Sequence, residues 1–239
     1  MDSVGIAIAG FAHPYAYEYA KSLSETSEAR LLAVWDDDRT RGREAAQRFR
    51  STYVAEYESV IRNRDVEAVV VSSRLSTTVE LAELAAEAGK NVLCEVPFAL
   101  NLEDADRVLK AVRKSGVRFQ SCFAARYSPA AVMGREALHR REIGDMIAMT
   151  GSVRLVAPEE DQLEDVGAAL AGDTLHLTDL MRWYSGSEVE SVYAVAVGGL
   201  DVKPRRQPGF LAMARFRSCA FASIDGVRCL PDSSLAGER

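Results

Sequence analysis

The sequence VEAVVVS at residues 66–72 is a strongly apolar run with the length and β-branched content of a buried strand. A helical pattern over 79–88 follows it and ends at Gly89, the residue type that commonly terminates a helix. A second strand pattern, NVLCE at 91–95, comes directly afterwards. Apolar strands separated by a helix predict a parallel sheet that is covered on both faces.

The same alternation extends in both directions from this stretch. Further strands are predicted at 4–9, 30–35, 53 and 117–122, with helices at 15–24, 43–49, 56–63 and 102–114. Because strand–helix–strand crossovers are right-handed, this order predicts an α/β, doubly wound Rossmann domain over residues 1–122.

A different pattern begins after residue 122. Helices predicted at 129–141 and 174–184 are combined with strands at 146–156, 189–197, 210–216 and 220–224, and a polar stretch occupies 158–165. Strands joined by turns indicate an α+β domain with a mostly antiparallel sheet, here over residues 123–239.

Composition and charge restrict the classes of function. The formal net charge of −6 and the pI near 5.3 argue against a nucleic-acid partner. No apolar run is long enough to span a bilayer, and the N-terminus lacks a signal-peptide pattern. We therefore expect a cytoplasmic protein without a metal site, and free thiols at the unpaired Cys94, Cys122, Cys219 and Cys229.

The segment after the first strand is the candidate dinucleotide loop. A G-x-G-x-x-G/A fingerprint requires small residues for a tight turn, close approach of the pyrophosphate and helix packing. Gly10 supplies the first, whereas Ala12 and Tyr15 stand at the second and third positions. Amides of the loop, which also contains Phe11 and His13, can favour an anion at the helix N-terminus. The alternative is an ordinary turn, with His13 capping the helix or exposed at the surface.

The second strand ends at an acidic residue. Asp36 follows Gly10 by 26 residues, which is close to the spacing at which a carboxylate binds the adenosine ribose hydroxyls. This feature favours NAD, although Arg39 or Arg41 could also admit NADP. The alternative is a solvated turn in which an aspartate caps a helix. Ser72, at the end of the 66–72 strand, is a further candidate contact of the cofactor.

Four segments, in order along the chain, carry a resemblance to a known family. They are AGKNVLCEVP at 88–97, RYSP at 126–129, IGD at 143–145 and LHLTDLMRW at 175–183. They resemble the AGKxVxxEKP strand end, the RxxP segment, the G-x-I-G turn and the H-x-x-D-L-x-R-W helix of the glucose–fructose oxidoreductase / inositol dehydrogenase / MocA (Gfo/Idh/MocA) family.

The resemblance implies an NAD(P)-dependent oxidoreductase that moves hydride between nicotinamide and a sugar, cyclitol or related polyol. It places Glu95 and Pro97 beside the nicotinamide and makes His176 the catalytic acid or base, oriented by Asp173 or Asp179. A histidine is suited to this role because its ordinary pKa lies near 6.5. Arg126 and Asp173, with His176, are the expected substrate contacts. The family also implies a homo-oligomer that pairs through the C-terminal sheet.

The departures from the family leave two alternatives open. Val96 stands where the family has lysine, and the chain is shorter than typical members at its C-terminus. A relative that binds a ligand without catalysis would fit these differences. His176 could likewise be a packing residue whose ring is satisfied by a backbone carbonyl.

Overall fold

A six-stranded parallel sheet organises the first of the two units into which the chain divides, Met1–Cys122 (unit 1) and Phe123–Arg239 (unit 2). The computed structural model describes residues 3–156, 166–197 and 209–229. The strands of unit 1 are β1 (Val4–Ala9), β2 (Ala29–Trp35), β3 (Thr52–Tyr53), β4 (Ala68–Val71), β5 (Asn91–Glu95) and β6 (Phe119–Cys122). Their order, β3-β2-β1-β4-β5-β6, is that of a doubly wound nucleotide-binding fold and confirms the prediction.

Helices cover both faces of this sheet. They are α1 (Tyr15–Glu25), α2 (Arg39–Arg48), α3 (Tyr57–Arg62), α4 (Leu75–Glu87) and α5 (Leu102–Ser115). Alternate residues of the central strands serve the two faces: Ile8 packs with α1 and α2, whereas Val69 and Val71 pack with α3, α4 and α5. Each fully buried aliphatic side chain of this kind stabilises the fold by about 1.5–3 kcal/mol.

Two helices of unit 1 begin earlier than predicted. The helix predicted from residue 43 begins at Arg39, because the Asp38 side chain accepts hydrogen bonds from the amides of Thr40 (2.8 Å) and Arg41 (3.1 Å) and so caps its N-terminus. The helix predicted from residue 79 begins at Leu75. Its first turn, LSTT, contains weak helix formers and gave no helical signal in the sequence.

Unit 2 combines helices with a four-stranded sheet. A 3₁₀ helix (Ala124–Tyr127) precedes α6 (Pro129–His139), β7 (Ala148–Val156), α7 (Val166–Ser185), β8 (Val189–Val197), β9 (Gly209–Phe216) and β10 (Phe221–Cys229). The strand order is β7-β10-β9-β8, with β10 parallel to β7 and the other pairs antiparallel. The predicted α+β class with a mostly antiparallel sheet is confirmed.

The two faces of this second sheet differ. Helix α7 covers one face, where Met181 packs with Phe216 and Ile224. The other face, called here the open face, exposes apolar side chains of β8 and β9, namely Tyr193, Val195, Leu211 and Met213. The β7 and β10 half of the open face also carries polar groups: the Ser152 hydroxyl donates to the carboxylate of Asp225 at 2.8 Å.

Some predicted features lie outside the described residues. These are the polar stretch at 158–165, the side chains of Asp173 and Cys229, and the chain end from residue 230. Within the described ranges, no helix is long and apolar enough to cross a membrane. Of the cysteines with described side chains, Cys94 and Cys122 are buried free thiols and Cys219 is an exposed one.

Candidate functional site

The carboxyl ends of β1 and β4 form the point at which the strand order reverses, where doubly wound folds bind their ligands. Gly10 follows β1 with φ of +96°, and its amide donates to the carbonyl of Trp35 at 2.8 Å. A Cβ atom at this position would lie 2.5 Å from the Cα of Ser73. Only glycine therefore allows the loops after β1 and β4 to approach each other so closely.

The rest of the candidate loop is held mainly by contacts within unit 1. The Phe11 ring is buried, lies edge-on to Tyr17 at 5.1 Å between centroids, and packs in the core. Ala12 is exposed. The Nδ1 atom of His13 accepts a hydrogen bond from the amide of Tyr15 at 3.4 Å, and the two rings stack. His13 therefore contacts the first residue of α1.

The third small residue of the loop lies one position later than the sequence pattern suggested. Tyr15 is 44% exposed, whereas the Ala16 side chain is completely buried against the sheet. Ala16 therefore provides the close helix–strand packing for which the third glycine of the fingerprint is required. The loop between Gly10 and this residue is one residue longer than the pattern assumes.

Asp36 lies where the ribose hypothesis requires a carboxylate, but its oxygens are already used inside unit 1. Oδ1 accepts from the amide of Asp38 and from Nη2 of Arg41, each at 2.7 Å. Oδ2 accepts from the amide of Phe11 at 2.7 Å and from Nε of Arg41 at 3.0 Å. The Asp36 side chain is fully enclosed. Burial raises the pKa of Asp36, and its hydrogen bonds with Arg41 oppose that rise.

The neighbouring Asp37 is the more accessible carboxylate of this turn. One oxygen accepts from Nη2 of Arg41 at 2.6 Å, and the other lies 3.4 Å from Nε of Arg74. The Asp37 side chain is 27% exposed. The side chain of Arg41 pairs with both carboxylates, so spacing along the chain does not distinguish Asp37 from Asp36.

Ser72 is the residue after β4, and its hydroxyl has no partner in the described part of the chain. Its amide donates to the carbonyl of Ala9 at 2.9 Å, which fixes it beside the turn at Gly10. The side chain is 1% exposed, and Oγ makes no hydrogen bond with any described residue. A buried hydroxyl in this state costs about 1–3 kcal/mol, which a bound polar group at the site would recover.

The end of β5 carries a second buried polar group. Glu95 is 7% exposed, and its Oε2 accepts a short hydrogen bond from the hydroxyl of Tyr19 on α1. Oε1 accepts from the amide of Val96 at 3.2 Å. The Val96–Pro97 peptide bond is cis, and the Val96 side chain is 6% exposed. The sequence did not identify Tyr19, because its spacing on α1 resembles that of a packing residue.

In unit 2, His176 lies on α7 with an unusual hydrogen-bonding state. Its ring is half-buried and meets the Phe123 ring edge-on, with the centroids 5.8 Å apart. The Nδ1 atom is buried and has no hydrogen-bond partner among the described residues. The packing alternative supposed a ring satisfied by a backbone carbonyl, and this nitrogen lacks such a contact.

Arg126 forms the other polar contact of this cluster. Its Nε and Nη2 donate to the two carboxylate oxygens of Asp179, which is 5% exposed. The guanidinium also lies 5.8 Å from the ring centroids of both Phe123 and Trp183. Hydrogen bonding with Asp179 raises the pKa of Arg126. Asp179, one of the two aspartates expected to orient His176, therefore pairs with Arg126.

Metal ligation is not indicated by these groups. In the part of the chain that the structure describes, no three His, Cys, Asp or Glu side chains form a cluster that could hold a metal ion. The polar groups of the two candidate regions are instead suited to hydrogen bonding with an organic ligand.

Comparisons with known proteins identify relatives of this chain. The chain is 31% identical over 216 residues to a myo-inositol 2-dehydrogenase of Thermotoga maritima, covering 88% of this chain and 64% of that protein. It is 30% identical over 187 residues to an inositol 2-dehydrogenase of Rhizobium meliloti, covering 77% of this chain and 56% of the relative. The chain thus spans less than two thirds of the length of these curated relatives.

A solved structure of a probable dehydrogenase from Thermotoga maritima superimposes with a TM-score of 0.82 at 28% identity. The match covers 94% of this chain and 68% of that one. The family model described as an oxidoreductase family with an NAD-binding Rossmann fold, GFO_IDH_MocA, matches residues 4–123. The chain belongs to the Gfo/Idh/MocA oxidoreductase family.

Proposed function

We propose that this protein binds NAD at the carboxyl edge of the unit 1 sheet and transfers hydride between the nicotinamide and a carbinol carbon of a cyclitol, sugar or related polyol. The observation that carries the cofactor part is the unpaired, buried hydroxyl of Ser72 beside the turn at Gly10. It lies where the strand order reverses, which is the binding crevice of doubly wound folds.

The residues present fit a dinucleotide in two halves. In a doubly wound fold the strands β1, β2 and β3 serve one mononucleotide, and β4, β5 and β6 serve the other. The adenosine half would be held near the Gly10 turn and the carboxylates of Asp36 and Asp37. Asp36 can meet the ribose hydroxyls only if Arg41 withdraws from it, whereas Asp37 is already accessible.

The nicotinamide half would be held by Ser72, Glu95 and Pro97. When bound, NAD supplies the ring that accepts or returns the hydride. The protein has to remove the hydroxyl proton of the substrate, and His176 is the candidate base. Its Nδ1 makes no hydrogen bond with any described residue, and the Phe123 ring packs edge-on against the imidazole.

The substrate class is argued from the relatives and from the polar groups of unit 2. The two curated relatives described above are named inositol dehydrogenases, which favours a cyclitol over other alcohols. Arg126 is about one third exposed beside its pair with Asp179, so one edge of the guanidinium can donate to a substrate hydroxyl. Asp173, in the same helix as His176, completes the proposed set.

Calorimetric titration with NAD and NADP is the direct test of cofactor binding. We expect NAD to bind more tightly, because two carboxylates at the end of β2 disfavour a 2′-phosphate. Spectrophotometric assay with a panel of inositols and sugars then tests hydride transfer. His176→Asn should lower kcat by about 10²–10⁴-fold while NAD still binds. No binding of either dinucleotide would refute the proposal.

A non-catalytic ligand-binding role is the second candidate, and Val96 is the feature that favours it. This buried apolar residue cannot hold or transfer a proton, whereas the names of the relatives favour catalysis. Val96→Lys separates the two roles. If activity on the polyol panel appears only in that variant, the natural chain binds its ligands without turning them over.

We further propose that the protein forms a homo-oligomer through the open face and acts in the cytoplasm. The apolar side chains of Tyr193, Leu211 and Met213 support the first part, since such exposed groups on a sheet mark an interaction surface. The reduced thiols of Cys94 and Cys122 suit the second. Sedimentation analysis tests the oligomer, and a monomer at all concentrations would contradict it. Cell fractionation tests the cytoplasmic location.

A further inference from the structure

We propose that Tyr19 is a positioning residue that fixes Glu95 as a buried anion at the nicotinamide half of the site. This negative charge raises the affinity for the oxidised dinucleotide relative to the reduced one, compared with the same site lacking the charge. The inference rests on the proposed function and adds a residue and an electrostatic preference to it.

The fold brings Tyr19 to Glu95. Ala16 and Ala20 are completely buried, so α1 lies close to the sheet on this side. Tyr19, next to Ala20, extends its ring toward the carboxyl ends of β5 and β6. There Glu95 and Cys122 are direct partners in the parallel ladder, and the Tyr19 hydroxyl contacts both side chains.

The hydrogen of the Tyr19 hydroxyl is directed to Glu95. A carboxylate can only accept, and a hydroxyl has a single hydrogen to donate. Burial, together with the hydrogen bonds to Cys122 and Glu95, raises the pKa of Tyr19, so the phenol stays protonated at neutral pH. Burial also raises the pKa of Cys122, whose Sγ lies 2.7 Å from the Tyr19 oxygen.

Each Glu95 oxygen therefore has a neutral donor. Oε2 accepts from Tyr19 and Oε1 from the amide of Val96 at 3.2 Å. These donors hold the carboxylate in one orientation and stabilise its charge, but they do not cancel it. The side chain of Val96, which follows directly, is apolar and 6% exposed, so it brings no compensating cation.

A carboxylate without an ion-pair partner among the described residues acts differently on the two redox states of the cofactor. The oxidised nicotinamide ring carries a positive charge, and the reduced ring is neutral. A fixed anion on the β4, β5 and β6 half of the sheet, which serves the nicotinamide mononucleotide, attracts only the oxidised ring. A general loss of structure, by contrast, would weaken the binding of the oxidised and the reduced cofactor equally.

The test compares dissociation constants of NAD⁺ and NADH by calorimetry on the full chain. Glu95→Gln keeps the shape and removes the charge, so we expect the affinity for NAD⁺ relative to NADH to fall about tenfold, on the order of one screened charge–charge interaction in a protein. Tyr19→Phe should give a smaller fall of about threefold. The double variant should add little to Glu95→Gln, because the hydroxyl acts through that carboxylate.

Tyr57→Phe is the matched control. It also deletes a buried tyrosine hydroxyl, but one that donates to the carbonyl of Leu81 at 2.8 Å and not to Glu95. Its NAD⁺ to NADH ratio should equal that of the wild type. Val96→Lys, which adds a cation beside Glu95, should shift the ratio in the same direction as Glu95→Gln.

Two outcomes overturn the inference alone. One is an equal loss of affinity for NAD⁺ and for NADH in Tyr19→Phe, which would assign the hydroxyl a purely structural role. The other is an unchanged ratio in Glu95→Gln. Failure of the wild type to bind either dinucleotide overturns the proposed function, and this inference with it.

Discussion

The two sheets of this chain differ in how they are covered. In unit 1, helices bury both faces, and the central strands contribute completely buried side chains such as Ile8, Val69 and Val71. In unit 2, α7 buries one face while the open face leaves Tyr193 and Leu211 exposed. Both faces of the first sheet are covered by helices within the described residues. The second sheet instead presents an apolar surface that a further layer could cover.

The polar groups of the two units differ in a parallel way. In unit 1, the enclosed carboxylate of Asp36 pairs internally with Arg41. The cluster in unit 2 depends on a partly exposed arginine, Arg126, to neutralise the buried Asp179. The two tryptophans, Trp35 in unit 1 and Trp183 in unit 2, allow each unit to be followed separately by fluorescence.

The largest effect is expected at the turn after β1. Gly10→Ala would place a Cβ atom 2.5 Å from the Ser73 backbone at a φ of +96°, and we expect it to lower the free energy of unfolding by about 3–5 kcal/mol. Denaturant titration followed at Trp35 measures the loss. Gly89→Ala is the control, since Gly89 has φ of +76° but open space around it. It should cost only about 1 kcal/mol. Equal losses would show that the contact with Ser73 is unimportant.

A smaller effect is expected in unit 2. Arg126→Ala leaves the carboxylate of Asp179 buried without its cation, and we expect a loss of about 2–3 kcal/mol, reduced by the partial exposure of the arginine. The unfolding transition observed at Trp183 should shift more than that at Trp35. Arg182→Ala, which removes an exposed pair with Glu188, is the control and should change little. A loss confined to the Trp35 transition would contradict this assignment.

Substitution on the open face should change assembly more than folding. Leu211→Lys places a charge among apolar side chains that are already exposed, so the unfolding free energy should change by less than about 0.5 kcal/mol. Sedimentation velocity should show fewer oligomers than for the wild type. Thr150→Lys, on the β7 and β10 half of the same face, is the matched control and should leave assembly unchanged. If both variants assemble normally, the open face is not the contact surface.

The smallest expected effect concerns acid stability. The amides of Arg41 and Thr40 hold the pKa of Asp38 below its ordinary value of 3.8. The ionised cap therefore stabilises α2 fully above about pH 4, and this contribution is lost as the pH falls through the lowered pKa. Asp38→Asn keeps an acceptor but removes the charge. Its melting temperature should be slightly below that of the wild type at pH 7 and equal to it near pH 2. A constant difference would mean that Asp38 does not titrate in this way.

The sequence was sufficient for the element order because the strands of unit 1 are apolar runs bounded by clear turns. The strands β1 and β5 have the predicted bounds. Helix α7 begins eight residues before its predicted start at 174, since the segment GAALAG at 167–172 has no polar face to indicate a helix period. Periodicity fails where both sides of an element are equally small and apolar.

The candidate site was less predictable than the fold. The pairing of Asp36 with Arg41, and of Asp179 with Arg126, depends on side-chain directions that spacing does not specify. Tyr19 reaches Glu95 across 76 positions of the sequence, and a single tyrosine on a helix gives no signal of such a contact. Resemblance identified Glu95 and His176, but only the geometry shows which of their polar atoms already have partners.

The distribution of thiols gives the molecule built-in reporters of local opening. Cys94 is completely buried in unit 1, and burial raises its pKa, so it is both shielded and poorly nucleophilic. Cys219 in unit 2 is exposed. In a Cys229→Ser background a thiol reagent should therefore modify Cys219 at once and the unit 1 cysteines only when that unit opens. The rate of the slow phase would report how often unit 1 opens locally, and a bound ligand should lower that rate.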